Sequence, residues 1–197
     1  MTDSKKLQKI LNFSKFLNEV REIERTIYTA TNKRQESDSE HSFQLAMICW
    51  YIIEVNRLDL NLNLVLKYAL VHDLVEVYAG DYYFGEHKDG GGLTDKYQRE
   101  KRAVSKIRQK LPEFKEMVKY IEDYEALSTE EARFVYSMDV VEPMFNIYND
   151  KGQLWKRDGI TKKILIDRRG QKATTSKDVK NLFKQILKAS EKYLPKD

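Results

Sequence analysis

Three stretches of this sequence read as amphipathic helices, and each sets an ionisable side chain where its own period requires an apolar one. Along residues 41–56 the inward row is Leu45, Ile48, Ile52 and Val55, and one turn back from Leu45 stands His41. Along residues 61–79, Leu62, Leu66, Ala69, Asp73 and Glu76 share a face, and the overlapping row Val65, Ala69, His72, Glu76 adds the histidine. Along residues 129–148, Ala132 and Val135 set a row that continues to Asp139. An isolated carboxylate costs several kcal/mol to take out of water, so Asp73, Glu76 and Asp139 require positive charge beside them. A single inward His or Asp is ordinarily satisfied by a cap, a hydrogen bond or an ion pair. Four converging side chains call for a cation. The two imidazoles and two carboxylates of His41, His72, Asp73 and Asp139 suit one divalent metal ion (manganese, cobalt, nickel, iron, zinc or magnesium) and leave coordination positions for water and substrate.

The remaining pattern predicts an all-α chain. Its 197 residues and 41% hydrophobic content suffice for one domain with a real core. No run of about 20 apolar residues could span a membrane. The N-terminus lacks the apolar segment of a signal peptide, and a cytoplasmic location is expected. The single cysteine, Cys49, lies in the apolar run of residues 46–53 and reads as core packing.

Residues 5–20 predict an amphipathic helix offering Leu7, Ile10, Leu11, Phe13, Phe16 and Leu17, followed by an irregular polar stretch to Ser39, a candidate N-cap. Gly80 punctuates the end of the His72-Asp73 helix, and the glycine-rich residues 85–92 predict a flexible loop. Thr94 caps a helix to about Leu111, Pro112 opens another, and Ser128-x-x-Glu131 is a capping-box signature for the helix bearing Asp139. Pro143 predicts a kink just beyond that ligand. Between Asn149 and Thr175 the pattern loosens, and Ile164-Leu165-Ile166 suggests at most a short extended segment within residues 160–170. A last amphipathic helix over residues 177–193 offers Val179, Leu182, Phe183, Ile186 and Leu187.

The His41, His72-Asp73, Asp139 pattern resembles the HD superfamily of metal-dependent phosphohydrolases. Ser-Glu-His-Ser at 39–42, Val-His-Asp-Leu-Val-Glu at 71–76 and Ala-Gly-Asp at 79–81 are similar to its branch of bacterial 5′-deoxynucleotidases, with the likeness running over roughly residues 5–150. The resemblance implies a single-domain helical bundle of HD type over residues 1–197, with residues 150–197 as a basic extension packed on it. It implies metal-dependent hydrolysis of a small phosphorylated substrate, a nucleoside 5′-monophosphate above all, and a possible homodimer. By the same resemblance Glu76 and Asp81 are catalytic. Glu76 lies one turn from both His72 and Asp73 and can hold or deprotonate the attacking water, while Asp81 can orient water or protonate a leaving alkoxide. Arg25 corresponds to a phosphate-binding arginine, with Lys33 or Arg34 as substitutes across a one-residue insertion. Thr26 stands where the deoxynucleotidases carry a tryptophan that helps exclude a ribose 2′-hydroxyl. Tyr82, Tyr83 and Phe84 are candidates for stacking a base, and His87 and Lys88 for closing over phosphate.

A bound divalent ion lowers the pKa of its water towards about 7 and polarises a phosphoryl oxygen, so no side-chain nucleophile is required. The same centre would also serve hydrolysis of a phosphodiester or a nucleoside triphosphate. A third reading is a metal-containing regulatory or nucleic-acid-binding module, because residues 151–197 carry 14 basic against 5 acidic side chains. Lys177, Lys180, Lys184 and Lys188 follow helical spacing opposite the apolar row, which favours a solvated face and makes a nucleic-acid partner the lesser reading.

Overall fold

The hydrophobic periods resolve into helices gathered round one long central helix. In the computed structural model, which describes residues 3–29, 34–80 and 93–196, the order is α1 (Asp3–Arg21), β1 (Glu24–Tyr28), β2 (Gln35–Ser37), α2 (Asp38–Asn56), α3 (Leu62–Val71), α4 (Glu76–Ala79), α5 (Leu93–Lys110), α6 (Lys115–Glu125), α7 (Glu130–Asn149), α8 (Gln153–Arg157), α9 (Lys162–Ala173) and α10 (Lys177–Ser190). The fold is all-α apart from one small antiparallel pair, β1 with β2. Helix α7 is the hub, touching α2, α3, α6, α9 and α10. Its Phe134, Val135, Met138 and Val141 are wholly buried, each contributing about 1.5–3 kcal/mol by leaving water. A second core joins α1 to α5 and α6 through Phe16, Ile107, Leu111 and Ile121.

Several local expectations are corrected. The polar stretch before α2 contains two strands, in which Ile27 and Glu36 turn inward while Thr26, Gln35 and Ser37 are only partly covered and Tyr28 is exposed. The N-cap of α2 is Ser37 rather than Ser39. Its hydroxyl accepts from Glu40 N and the Glu40 carboxylate accepts from Ser37 N, a reciprocal capping box. Thr129, not Ser128, caps α7 by accepting from Ala132 N, and the Ser128 hydroxyl instead donates to the Asp123 carbonyl. Pro112 lies in a turn, and α6 begins three residues later at Lys115. Helix α7 itself spans Glu130–Asn149 with Pro143 inside it, in keeping with the pattern over residues 129–148.

The extended segment expected within residues 160–170 is helix α9. Thr161 caps it by accepting from Ile164 N, and only Leu165 and Ala173 are buried, so its inward stripe is too narrow to register as a period. The outermost helix departs in the opposite direction. Leu7, Ile10 and Leu11 are more than half exposed, and α1 is held mainly through Phe16 and Val20.

Candidate metal centre

The continuous helix expected over residues 61–79 is broken, and the break holds the His72-Asp73 pair. Residues 72–75 form tight turns in which Leu74 N bonds Val71 O and Glu76 N bonds Asp73 O. This re-aims the two successive side chains towards α2 and α7. His41 enters from the first turn of α2, fixed by the Ser37 cap, and Asp139 from the middle of α7. The ligand atoms of His41, His72, Asp73 and Asp139 lie within 4.8 Å of one another. His41 Nε2 is 3.0 Å from Asp139 Oδ1, and His72 Nε2 is 3.0 Å from Asp73 Oδ2 and 3.7 Å from Asp139 Oδ1.

Both histidines are oriented from behind. His72 Nδ1 donates to the Ala69 carbonyl at 2.9 Å, which fixes the ring with Nε2 facing the carboxylates, where a cation would take the place of the Nε2 proton. His72 Nε2 is buried and finds no hydrogen-bond partner among the described residues. His41 Nδ1 lies 2.9 Å from Glu142 Oε2, with both residues fully buried, so the proton there also belongs on Nδ1. Carboxylate or carbonyl support stands behind each imidazole, and in front His72 Nε2 is orphaned while His41 Nε2 meets the Asp139 carboxylate, an arrangement that suits a divalent cation. The donor set fits the ion.

Charges lean in from two sides. Strand β1 carries Arg25, whose Nη1 donates to Asp73 Oδ2 at 2.9 Å and lies 3.6 Å from Asp38 Oδ1, while its Nε is 3.8 Å from Glu36 Oε2. Helix α9 carries Lys172, whose Nζ donates to Asp139 Oδ2 at 2.6 Å. Burial opposes ionisation of Asp139, yet the Lys172 ammonium and the imidazoles hold its carboxyl well below the usual range. Burial likewise acts to lower the His72 pKa, but the Asp73 and Asp139 carboxylates outweigh it and raise it to about 10. Glu36 is pushed up to about 7 by burial, reinforced by the charge of Glu142.

Glu76 stands beside the centre, its carboxylate within 4.8 Å of ligand atoms of Asp38 and Asp73. The site opens into a cleft of about 780 Å³ lined by Arg25, Thr26, His72, Asp73, Glu76, Tyr124, Asp139, Arg168, Arg169 and Lys172. That volume lies within the range of small-molecule pockets. Arg34 points elsewhere, pairing with Glu40. Asp81, Tyr82, Tyr83, Phe84, His87, Lys88 and Lys33 lie outside the described residues. Cys49 is buried in the core, with burial pushing its thiol up.

The sequence profile of the HD domain matches residues 17–180. The chain belongs to the HD domain family. This HD domain is 34% identical over 137 residues to the mouse protein 5′-deoxynucleotidase HDDC2, covering 68% of this chain and 65% of that one. The human protein of the same name is 33% identical over 136 residues, covering 68% and 64%. The chain thus spans slightly less than two thirds of these relatives. In fold it is similar to a crystal structure of a predicted metal-dependent phosphohydrolase from Magnetospirillum magnetotacticum MS-1, with a TM-score of 0.78, 24% identity, and coverage of 95% of this chain and 99% of that one.

Sequence reasoning missed Glu142, Glu36, Asp38 and Lys172. Glu142 had a signal, since it lies three residues after Asp139 and so on the same side of α7. Lys172 had none, because lysines in a stretch without a clear period read as solvated.

Proposed function

We propose that the protein is a metal-dependent phosphohydrolase acting on a small phosphate ester, foremost a nucleoside 5′-monophosphate. The observation that carries this reading is the pair of Nε2 atoms that His41 and His72 present to Asp73 and Asp139 beside an open cleft. The activity named for the mouse and human relatives supports the same substrate class. One divalent cation held by His41, His72, Asp73 and Asp139 would supply Lewis acidity and an activated water.

Glu76, on the turn after Asp73, would orient the attacking water and accept a proton, and Asp81 would protonate the leaving alkoxide. Arg25 offers a planar fork to phosphoryl oxygens from the β1 side of the cleft. Thr26 lines the cleft beside it. Residues 150–197 form part of the same domain, since α9 and α10 pack on α7. No helix among the described residues is long and apolar enough to cross a membrane. A cytoplasmic location and a homodimer complete the proposal, the latter checked by sedimentation.

The test is a matrix of metals against substrates on stripped and reloaded protein. Release of inorganic phosphate from 5′-monophosphates supports the proposal. Release of pyrophosphate or triphosphate from nucleoside triphosphates, or cleavage of a phosphodiester alone, moves the assignment to those classes. No hydrolysis with any ion, together with salt-sensitive nucleic-acid binding lost on charge reversal of Lys177, Lys180, Lys184 and Lys188, replaces it with the binding module.

A further inference from the structure

We propose that Lys172 is a ligand for the phosphoryl group of the substrate, facing Arg25 across the centre. The inference rests on the phosphohydrolase reading and adds a residue that neither the sequence pattern nor the relatives' names assign.

Three observations carry it. First, Lys172 reaches the centre through Asp139 Oδ2 at 2.6 Å, while His41 Nε2 lies 3.0 Å from the other oxygen, Oδ1. The lysine side chain remains 28% exposed and lines the cleft, whereas the His41 and His72 side chains are buried. It is the part of this cluster that an entering anion can meet. Second, its position is built. The hydroxyl of Ser137, wholly buried on α7 two residues before Asp139, donates to the Lys172 carbonyl at 2.9 Å and accepts from Ser176 N at 2.9 Å. This fastens the end of α9 to the stretch of α7 that bears the ligand. The ammonium also sits 4.3 Å from the centre of the Tyr136 ring, which restricts the side chain further. A lysine serving only solubility has no such support.

Third, the charges favour it. A phosphoryl dianion must enter a nest that already contains Asp73 and Asp139, with Glu76 beside them, so cations beyond one divalent ion and Arg25 are favoured there, and Lys172 already bonds a ligand carboxylate while Arg168 and Arg169 line the cleft. Arg25 is spread over Asp73, Asp38 and Glu36. Among the described residues Lys172 has one carboxylate partner, Asp139, which would also be a ligand for the cation. Sharing Asp139 with the cation weakens its hold on the ammonium, which can then turn to a phosphoryl oxygen as a charge-assisted donor.

The experiment compares wild type, Lys172→Gln and Lys172→Arg by calorimetry, reading Mn²⁺ affinity first and then inorganic phosphate affinity of the Mn²⁺-loaded protein. The expected result is Mn²⁺ affinity within about threefold of wild type in both variants, with phosphate binding about tenfold or more weaker in Lys172→Gln and largely restored in Lys172→Arg. With a nucleotide substrate, Lys172→Gln should raise KM more than it lowers kcat. Unchanged phosphate affinity in Lys172→Gln, no phosphate binding to wild type, or Mn²⁺ and phosphate affinities falling together would each overturn the assignment, the last making Lys172 a support of the metal ligand only. The phosphate arm needs no turnover, so a protein that binds phosphate through Lys172 but hydrolyses no nucleotide would refute the substrate reading and leave this one standing.

Discussion

The two walls of the cleft are built on different principles. On the α2, α3 and α7 side, His41 and His72 are buried and Asp73 and Asp139 mostly covered, set by a cap and a helix break, with the two imidazoles hydrogen-bonded from behind. On the α9 side, Lys172 is a long, partly exposed side chain anchored chiefly through its backbone, with Arg168 and Arg169 lining the same cleft. The difference suits a hydrolase in which one wall must keep a cation in fixed geometry and the other must yield to an arriving anion. Rigid burial and adaptable charge divide the work between them.

The largest effect should come from the rigid wall. Asp139→Ala and His72→Ala should lose bound metal, lower thermal stability measured on loaded protein, and reduce phosphate release by about a hundredfold or more. Elemental analysis showing wild-type metal content in either variant would break the comparison at its root. Glu76→Gln should follow, with metal content unchanged and kcat lower by about a hundredfold or more, as for loss of a general base. Comparable metal loss in this variant would move Glu76 from proton handling to ligation.

A smaller effect tests the support behind the rigid wall. Glu142→Gln removes the charge behind His41 Nδ1 and should weaken metal affinity by about 10- to 100-fold. Competition with a chelator reads this directly, and an unchanged affinity would make Glu142 a packing residue.

The smallest effect concerns Glu36, whose carboxyl is raised to about 7 by burial and by Glu142. Folding favours its neutral form, so its contribution to stability is complete below the ordinary value of 4.5 and is lost as pH rises through 7. Glu36→Gln should therefore flatten the fall in stability of metal-free protein across that window, seen as a weaker pH dependence of the denaturation midpoint. An unaltered slope would assign the fall to other groups.

Legibility followed the same division. Polar side chains intruding on apolar stripes are conspicuous, so His41, His72, Asp73, Glu76 and Asp139 could be picked out, and the main helices follow from their periods. The hairpin was not visible because only Ile27 of β1 is well buried, and without that hairpin nothing local explains how Arg25 reaches Asp73. Helix α9 was hidden for a related reason, since two buried side chains in twelve residues leave no stripe to read. The break at residues 72–75 has no glycine or proline to announce it. It arises where tertiary demand on His72 and Asp73 overrides helical propensity. The exposed face of α1 shows the converse limit, that an apolar stripe predicts burial without naming what does the burying.

The most direct test of the account is phosphate release from a nucleoside 5′-monophosphate by protein stripped of metal and then titrated with Mn²⁺ or Co²⁺. The account predicts no release from stripped protein, activity rising to a plateau as the four-ligand site fills, and no recovery in Asp139→Ala at the same metal concentrations. Hydrolysis by fully stripped protein, or full recovery in Asp139→Ala, would contradict it.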